Sequence, residues 1–141
     1  MKILGLDLGD RWVGSALADP LGISCRPYET VELENLETFL RRAIPDQDIS
    51  VIVVGYPKTM GAGTESDQTR KTVKLKEELE QKFTNVDWVL WDERLSSKRA
   101  DQLKGTGKTP EEKRRQHSVA ASFILQSYLD YKAFSSSQED E

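Results

Sequence analysis

The chain has 141 residues, the size of one domain, and 37% of them are hydrophobic while 31% are charged. No run approaches the roughly 18 uninterrupted apolar residues that a membrane span needs, and the N-terminus lacks the layout of a signal peptide. The single cysteine, Cys25, excludes an intrachain disulfide, and the single histidine, His117, excludes mechanisms that need two. We therefore expect a reduced, soluble and cytoplasmic domain.

The net charge of −4 is distributed unevenly along the chain. Residues 29–48 carry a net charge of −4, and the last three residues, 139–141, carry −3. Between residues 94 and 115, eight lysines and arginines stand against three acids, a net charge of +5. Such a basic run is typical either of solvated helices or of a surface that faces phosphate, and the sequence leaves both readings open.

The predicted elements follow the order β-β-β-α-β-α-β-α-α. We predict five strands, at Lys2–Gly9, Trp12–Ala18, Ile23–Val31, Ser50–Gly55 and Val86–Trp91. We predict four helices, at Leu33–Ile44, Glu65–Phe83, Arg94–Leu103 and Pro110–Tyr131. Consecutive strands pair antiparallel and strands joined through a helix pair parallel, so we expect an α/β fold with a five-stranded mixed sheet and helices on both faces. The domain is predicted to span residues 1–132. Residues 133–141 are predicted to be a disordered acidic tail, because they offer little to bury.

An aspartate lies inside the first apolar strand, in Gly5-Leu6-Asp7-Leu8-Gly9-Asp10-Arg11-Trp12-Val13-Gly14. A buried carboxylate without a partner is costly, so Asp7 is either a hydrogen-bonded structural residue or a functional acid at the end of the strand. The flanking glycines would let backbone or phosphate come close. The spacing is similar to the first phosphate loop of actin-like ATPases and sugar kinases, and also to the first strand of ribonuclease H-like nucleases.

Two acids, Asp92 and Glu93, directly follow the predicted strand Val86–Trp91. The carboxyl ends of parallel strands are where α/β sheets place their sites. If the first and last of these strands are neighbours, Asp7 and Glu93 face the same edge, and paired carboxylates there could hold Mg²⁺. The alternative for Asp92 is that it only caps the helix that follows.

His117 stands at the head of the buried face of the last predicted helix, since His117, Ala121, Ile124 and Tyr128 recur at helical spacing. A lone histidine in such a place is more often a hydrogen-bonded core residue than a ligand or a catalytic group, and both readings stay open. Cys25 lies in the middle of a predicted strand without a pattern of histidine or acid around it. A thiol nucleophile is therefore not expected.

Together these motifs resemble the YqgF/RuvX family, whose members are described as Holliday junction resolvases and as pre-16S rRNA nucleases. The matching pieces run in order from Lys2 to Asp130: Gly5-Leu6-Asp7-Leu8-Gly9 with Arg11 and Gly14, Gly55-Tyr56-Pro57 with a glycine loop, Asp92-Glu93-Arg94-Leu95-Ser96, and Ala120-Ala121 followed by Ile124-Leu125-Gln126-Ser127-Tyr128-Leu129. The resemblance implies a ribonuclease H-like fold, a cytoplasmic location and processing of the 5′ end of pre-16S ribosomal RNA. It also argues against an actin-like ATPase, which needs a second, duplicated domain.

The resemblance implies that Asp7 is the first catalytic acid and that Glu93, with Asp92 beside it, supplies the second. The third acid of the family opens the final helix, and this chain has His117 at that position. Mg²⁺ prefers oxygen ligands, whereas imidazole suits Mn²⁺ and other transition metals, so the expected cofactor is Mg²⁺ or Mn²⁺. A further departure is Tyr56, where the family usually has leucine.

The activity that the resemblance implies is metal-assisted hydrolysis of phosphodiester bonds, by an endonuclease or exonuclease that acts on RNA, with DNA as the alternative. Asp7 and Glu93 would hold the metal, and His117 would be a weaker ligand or a general acid. Phosphate contacts position a strand without reading its sequence. Four basic residues are candidates for such contacts: Arg11, Lys58, Arg94 and Lys108.

Two other functions stay open on the sequence. The chain could be a catalytically impaired module that binds nucleic acid in ribosome assembly, with His117 marking the lost chemistry. It could also resolve four-way DNA junctions, for which two symmetric cuts require a dimer. The expected partner is nucleic acid, with a ribosomal RNA precursor preferred to a DNA junction. We expect no membrane association and a monomer or weak dimer.

Overall fold

The computed structural model describes residues 1–56, 67–92 and 109–139. Within these ranges the strands and helices are β1 (Lys2–Leu8), β2 (Trp12–Ala18), β3 (Cys25–Glu32), α1 (Leu36–Asp46), β4 (Ile49–Tyr56), α2 (Asp67–Lys82), β5 (Asp87–Asp92) and α3 (Pro110–Glu139), and a short 3-10 turn (Leu33–Asn35) precedes α1. The predicted helix Arg94–Leu103 lies outside the described residues. In the described part of the chain, no helix combines the length and apolar character of a membrane span.

All five strands form one sheet in the order β3-β2-β1-β4-β5. β2 pairs antiparallel with both β1 and β3, whereas β4 pairs parallel with both β1 and β5. This confirms the predicted five-stranded mixed sheet. The first and last parallel strands are not neighbours, however. β2 occupies one edge of β1 and β4 occupies the other, so β5 has no edge of β1 to pair with and pairs instead with the outer edge of β4.

Helices α1 and α2 cover one face of the sheet. Buried leucine and isoleucine side chains of β1 and β4 pack there against the apolar stripes of the two helices: Leu36, Phe39, Leu40, Ala43, Ile44, Leu79 and Phe83. The helix predicted at Leu33–Ile44 buries Leu36, Leu40 and Ile44 in this way, while Leu33 lies in the 3-10 turn before it. An apolar stripe recurring at helical spacing is what allows a charged helix to pack on a sheet.

Helix α3 covers the other face. Its buried positions Ala121, Ile124, Leu125, Tyr128 and Leu129 pack against alanines of β2 and against Val53 of β4. In β4, Val53 belongs to this face while its neighbours Ile52 and Val54 belong to the opposite one. The continuous apolar run of β4 is thus buried on both faces, which is typical of strands with such runs.

Three glycines, Gly5, Gly14 and Gly55, let α3 lie directly on the sheet. A β-carbon at Gly55 would come within 2.6 Å of Cδ1 of Ile124, and a β-carbon at Gly14 would collide with the backbone carbonyl of His117. At Gly14 the backbone of the helix therefore touches the backbone of β2. This contact sets how closely the start of α3 approaches the sheet.

Helix α3 begins with a capping box and extends further than predicted. Oγ1 of Thr109 accepts a hydrogen bond from the N–H of Glu112 at 3.1 Å, and the Glu112 carboxylate accepts one from the N–H of Thr109 at 3.4 Å. The helix is predicted to end at Tyr131, but it continues to Glu139. Residues 133–139 of the predicted disordered tail are therefore helical, because each residue added to an existing helix gains a hydrogen bond without a new nucleation cost.

The substitution Gly14→Ala should destabilise the protein by about 3 kcal/mol, because the added methyl group meets helix backbone rather than a side chain that can move. The measurement is the free energy of unfolding in urea. The control is Gly22→Ala, where nothing lies within 4 Å of the new β-carbon and only the positive φ of 71° opposes alanine, at about 1 kcal/mol. Equal losses for the two variants would contradict the close contact at Gly14.

Candidate active site

One row of residues crosses all five strands on the face that α3 covers. The register pairs Asp7 with Gly14 of β2 and with Gly55 of β4. It continues from Gly14 to Thr30 of β3 and from Gly55 to Trp91 of β5. Paired residues of neighbouring strands share a face, and both glycines face α3. Asp7 therefore occupies the middle of the sheet, between two positions without side chains.

Asp7 and the backbone of His117 both adjoin Gly14 in this row. Gly14 lies opposite Asp7 in the sheet and directly against the His117 backbone, and the Asp7 and His117 side chains are both half-buried. Burial lowers the pKa of the His117 imidazole, so the ring is uncharged at neutral pH. An uncharged imidazole can offer a ring nitrogen to a metal ion or exchange a proton with a substrate.

Strand β3 fastens the start of α3 beside this pair. Oγ1 of Thr30 donates a hydrogen bond to the backbone carbonyl of Arg114 at 2.7 Å. Since the Thr30 hydroxyl has one proton, its second hydrogen bond must be donated by the hydroxyl of Ser118, which is buried. Thr30 of the sheet is thus hydrogen-bonded to α3 both before His117 in the sequence, at Arg114, and after it, at Ser118. The sequence does not single out Thr30 or Ser118, since neither belongs to a chemical motif.

Asp92 lies on the opposite face of the sheet from Asp7. It is the last residue of β5, pairs with Tyr56, and follows Trp91, which packs against α3. Successive residues of a strand point to opposite faces, so the structure does not bring Asp92 to the face of Asp7. Tyr56 shares the face of Asp92. The other acid of the predicted pair, Glu93, lies outside the described residues.

Of the four predicted phosphate contacts, Arg11 lies in the described part of the chain. It is exposed in the turn between β1 and β2, and its guanidinium carbon is 5.5 Å from the centre of the Trp12 ring. The guanidinium carbon of Arg114 in α3 is 4.9 Å from the centre of the same ring. The sequence includes Arg114 in the basic run but does not distinguish it from its neighbours. The remaining three candidates lie outside the described residues: Lys58, Arg94 and Lys108.

The described residues supply one carboxylate and one imidazole at this edge, Asp7 and His117. They contain no group of three histidine, cysteine or acidic side chains that could hold a metal ion by itself. A hard divalent cation such as Mg²⁺ needs only one or two protein carboxylates and completes its shell with water and substrate phosphate. Asp7 therefore fits as one ligand of such an ion.

The sequence of residues 1–131 matches the model of the RuvX family, described as "Holliday junction resolvase". A protein of Carboxydothermus hydrogenoformans described as "Putative pre-16S rRNA nuclease" is 37% identical over 139 residues, covering 94% of this chain and 99% of the relative. A protein of Geobacillus sp. (strain WCH70) with the same description is 37% identical over 141 residues, with the same two coverages.

Two solved structures are similar to this fold. The RuvC protein of T. thermophilus in complex with a Holliday junction substrate has a TM-score of 0.65 at 12% identity, covering 96% of each chain. The Holliday junction resolvase of fowlpox virus has a TM-score of 0.53 at 15% identity, covering 93% of this chain and 99% of its own. At this identity the likeness concerns the fold, and it confirms the expected ribonuclease H-like architecture.

Cys25 lies in surroundings that suppress its reactivity. Its Sγ donates a hydrogen bond to the backbone carbonyl of Ser122 at 3.1 Å. Burial, with a smaller contribution from the charge of Asp130, raises the pKa of the Cys25 thiol to about 11. The thiol is therefore protonated at neutral pH. This supports the expectation that Cys25 is not a nucleophile.

Because the thiolate is the reactive form, alkylation of Cys25 near neutral pH should be roughly a hundredfold slower in the folded protein than in the urea-unfolded protein. The rate should rise about tenfold per pH unit until the pH approaches the thiol pKa of about 11. Mass spectrometry after timed reaction with iodoacetamide provides the measurement. A folded protein that reacts as fast as the unfolded one would contradict the raised pKa.

Proposed function

The chain belongs to the RuvX family, and we propose that it is a divalent-metal-dependent nuclease that hydrolyses phosphodiester bonds in processing the 5′ end of pre-16S ribosomal RNA. The observation that carries this proposal is that Gly14, which lies opposite Asp7 near the end of the central strand, contacts the backbone of His117 at the start of α3. The descriptions of the relatives support an RNA substrate. Ribosomal RNA as substrate implies a cytoplasmic protein.

We assign Asp7 and Glu93 as the carboxylates that hold the metal, and His117 as a weaker third ligand or a general acid. A bound divalent ion would activate a water molecule and stabilise the charge that develops on the phosphate. Asp7 is well suited to a fixed role because β1 is hydrogen-bonded to strands on both sides. We also assign Arg11, which is exposed in the turn that follows β1, to contact a phosphate of the substrate strand.

His117 sets the strength of the proposed activity. A neutral imidazole in place of a carboxylate removes one negative charge from the metal site, which weakens the binding of a second hard cation. Imidazole also favours Mn²⁺ over Mg²⁺. We therefore expect a weak nuclease that is more active with Mn²⁺.

A four-way DNA junction is the second candidate substrate. The family description and the fold shared with two resolvases favour it. Symmetric cutting of a junction needs two active sites, so this candidate requires a dimer in solution. The molar mass from light scattering, measured together with the substrate preference, separates the two candidates.

Asp7→Asn should abolish metal-dependent cleavage, because the amide keeps the shape of the side chain but removes the charge that binds the cation. The measurement is cleavage of labelled precursor ribosomal RNA, single-stranded RNA and a four-way DNA junction, each with Mg²⁺ or Mn²⁺. Asp10→Asn is the matched control, since Asp10 is an exposed aspartate of the same turn region. Its activity should stay close to that of the unchanged protein.

Cleavage that survives in Asp7→Asn would refute the role of Asp7. If the unchanged protein binds nucleic acid but cuts none of the substrates with either metal, the nuclease proposal is refuted and the non-catalytic assembly module takes its place. The preferred substrate chooses between RNA processing and junction resolution.

His117→Asp should increase Mg²⁺-dependent cleavage by about tenfold or more, because it restores an anionic oxygen ligand at the third position. His117→Ala is the matched control and should not gain Mg²⁺-dependent activity. The measurement is the initial cleavage rate as a function of Mg²⁺ and Mn²⁺ concentration, with thermal unfolding recorded for each variant. A well-folded His117→Asp protein with no gain in Mg²⁺ would contradict the assignment of this position to the metal.

A further inference from the structure

Trp12 is a large aromatic residue that belongs to neither apolar core. It opens β2, is half-buried, and takes no part in the two clusters of buried side chains that the described residues form. The guanidinium carbons of Arg11 and Arg114 instead lie 5.5 and 4.9 Å from the centre of its ring. Both distances are within the range of cation–π attraction. Two positive charges thus lie near this ring.

In the described part of the chain, Arg11 and Arg114 form no ion pair, whereas Arg42 of α1 is held by Glu29 at 2.8 Å. Two guanidinium groups on one ring repel each other, and a bound anion would remove that repulsion. Phosphate is the anion that best matches the planar, two-pronged donor pattern of arginine.

The two arginines adjoin the candidate active site. Trp12 stands two residues before Gly14, which lies opposite Asp7 in the sheet. Arg114 precedes His117 by one helical turn, so the two residues are neighbours on the surface of α3. The hydrogen bond from Thr30 to the Arg114 carbonyl fixes this turn to β3. The positive charges are therefore held at a constant place relative to the candidate metal site.

We propose that Arg11 and Arg114 form a phosphate clamp, which binds the backbone of a nucleic-acid strand beside the phosphate on which Asp7 would act. Trp12 is the positioning residue for both guanidinium groups. The clamp rests on the proposed function for the identity of its ligand, because a free phosphate or a mononucleotide offers the same chemistry. A strand held at two successive places has its reacting phosphate positioned without any contact to a base.

The test is equilibrium binding of a labelled short single-stranded RNA, measured by fluorescence anisotropy in EDTA so that no cleavage is required. Arg114→Gln should lower the affinity about tenfold. It should also reduce the slope of log affinity against log salt by about 0.7, the contribution of one phosphate contact on a single strand. Arg115→Gln is the matched control, since Arg115 is exposed on the same helix and, unlike Arg114, has no ring contact among the described residues. Its loss of affinity should be much smaller.

The variants of Trp12 test its positioning role. Trp12→Leu should lose affinity and salt slope much as Arg114→Gln does, because leucine offers no π face to the guanidinium groups. Trp12→Phe keeps a ring and should recover most of both. A partly unfolded variant would lower the fraction of protein that binds but leave the salt slope unchanged. The slope and the thermal unfolding of each variant therefore distinguish positioning from folding.

Equal losses for Arg114→Gln and Arg115→Gln, or an unchanged salt slope in both Arg114→Gln and Trp12→Leu, would overturn the clamp. If inorganic phosphate or AMP displaces the RNA at an equal concentration of phosphate groups, the arginines bind a free phosphate ligand. The proposal that they bind a nucleic-acid strand is then refuted. A protein that cuts RNA while Arg114→Gln binds normally refutes the clamp alone. One that cuts nothing, while Arg114→Gln still loses affinity and slope, refutes the nuclease and supports the clamp.

Discussion

The arrangement of the molecule depends on the contact between the backbone of α3 and the backbone of β2 at Gly14. No side chain can be added there without moving the turn of the helix that carries His117. On the other side of Asp7, a β-carbon at Gly55 would meet the side chain of Ile124 rather than helix backbone. Among the described glycines that face α3, Gly14 therefore makes the closest contact with the helix backbone. The position of His117 relative to Asp7 follows from this packing.

The apolar cores hold this polar row in place. β1 and β4 are covered by helices on both sides, so the strand that carries Asp7 is anchored by buried leucines on one face and by α3 on the other. Well-packed interiors of this kind resist small displacements, which keeps a functional group near its working geometry. The hydrogen bonds from Thr30 and Ser118 extend the same rigidity to the first turns of α3.

Helix α3 combines two environments along its length. Its middle section is apolar and lies on the sheet. There the rings of Tyr128 and Trp91 meet edge to face, with their centroids 5.4 Å apart. Its first turns are exposed, with two glutamates followed by Lys113, Arg114 and Arg115, and Arg114 there meets the ring of Trp12. A chain of net charge −4 thus places two arginines beside its candidate active site, and neither forms an ion pair within the described ranges. Local charge of this kind, rather than the net charge, governs attraction of a phosphate backbone.

Much of this could be predicted from the residue pattern, because hydrophobic periodicity and turn residues are local properties. The order of strands and helices, the double burial of β4 and the buried face of α3 all follow from spacing along the chain. Asp7 and His117 stand out as chemical groups in apolar surroundings. Their roles as ligand or acid stay predictions.

Other features depend on contacts between distant parts of the chain, and no local pattern contains them. Strand order places β4 between β1 and β5, because pairing depends on which edges are already occupied. Register places Asp92 on the face opposite Asp7, since a shift of one residue exchanges the faces of a strand. Trp12 and Arg114 meet only because α3 returns across the sheet to the start of β2. The sequence by itself therefore supplies the elements and the reactive groups, whereas long-range packing brings particular groups to one place.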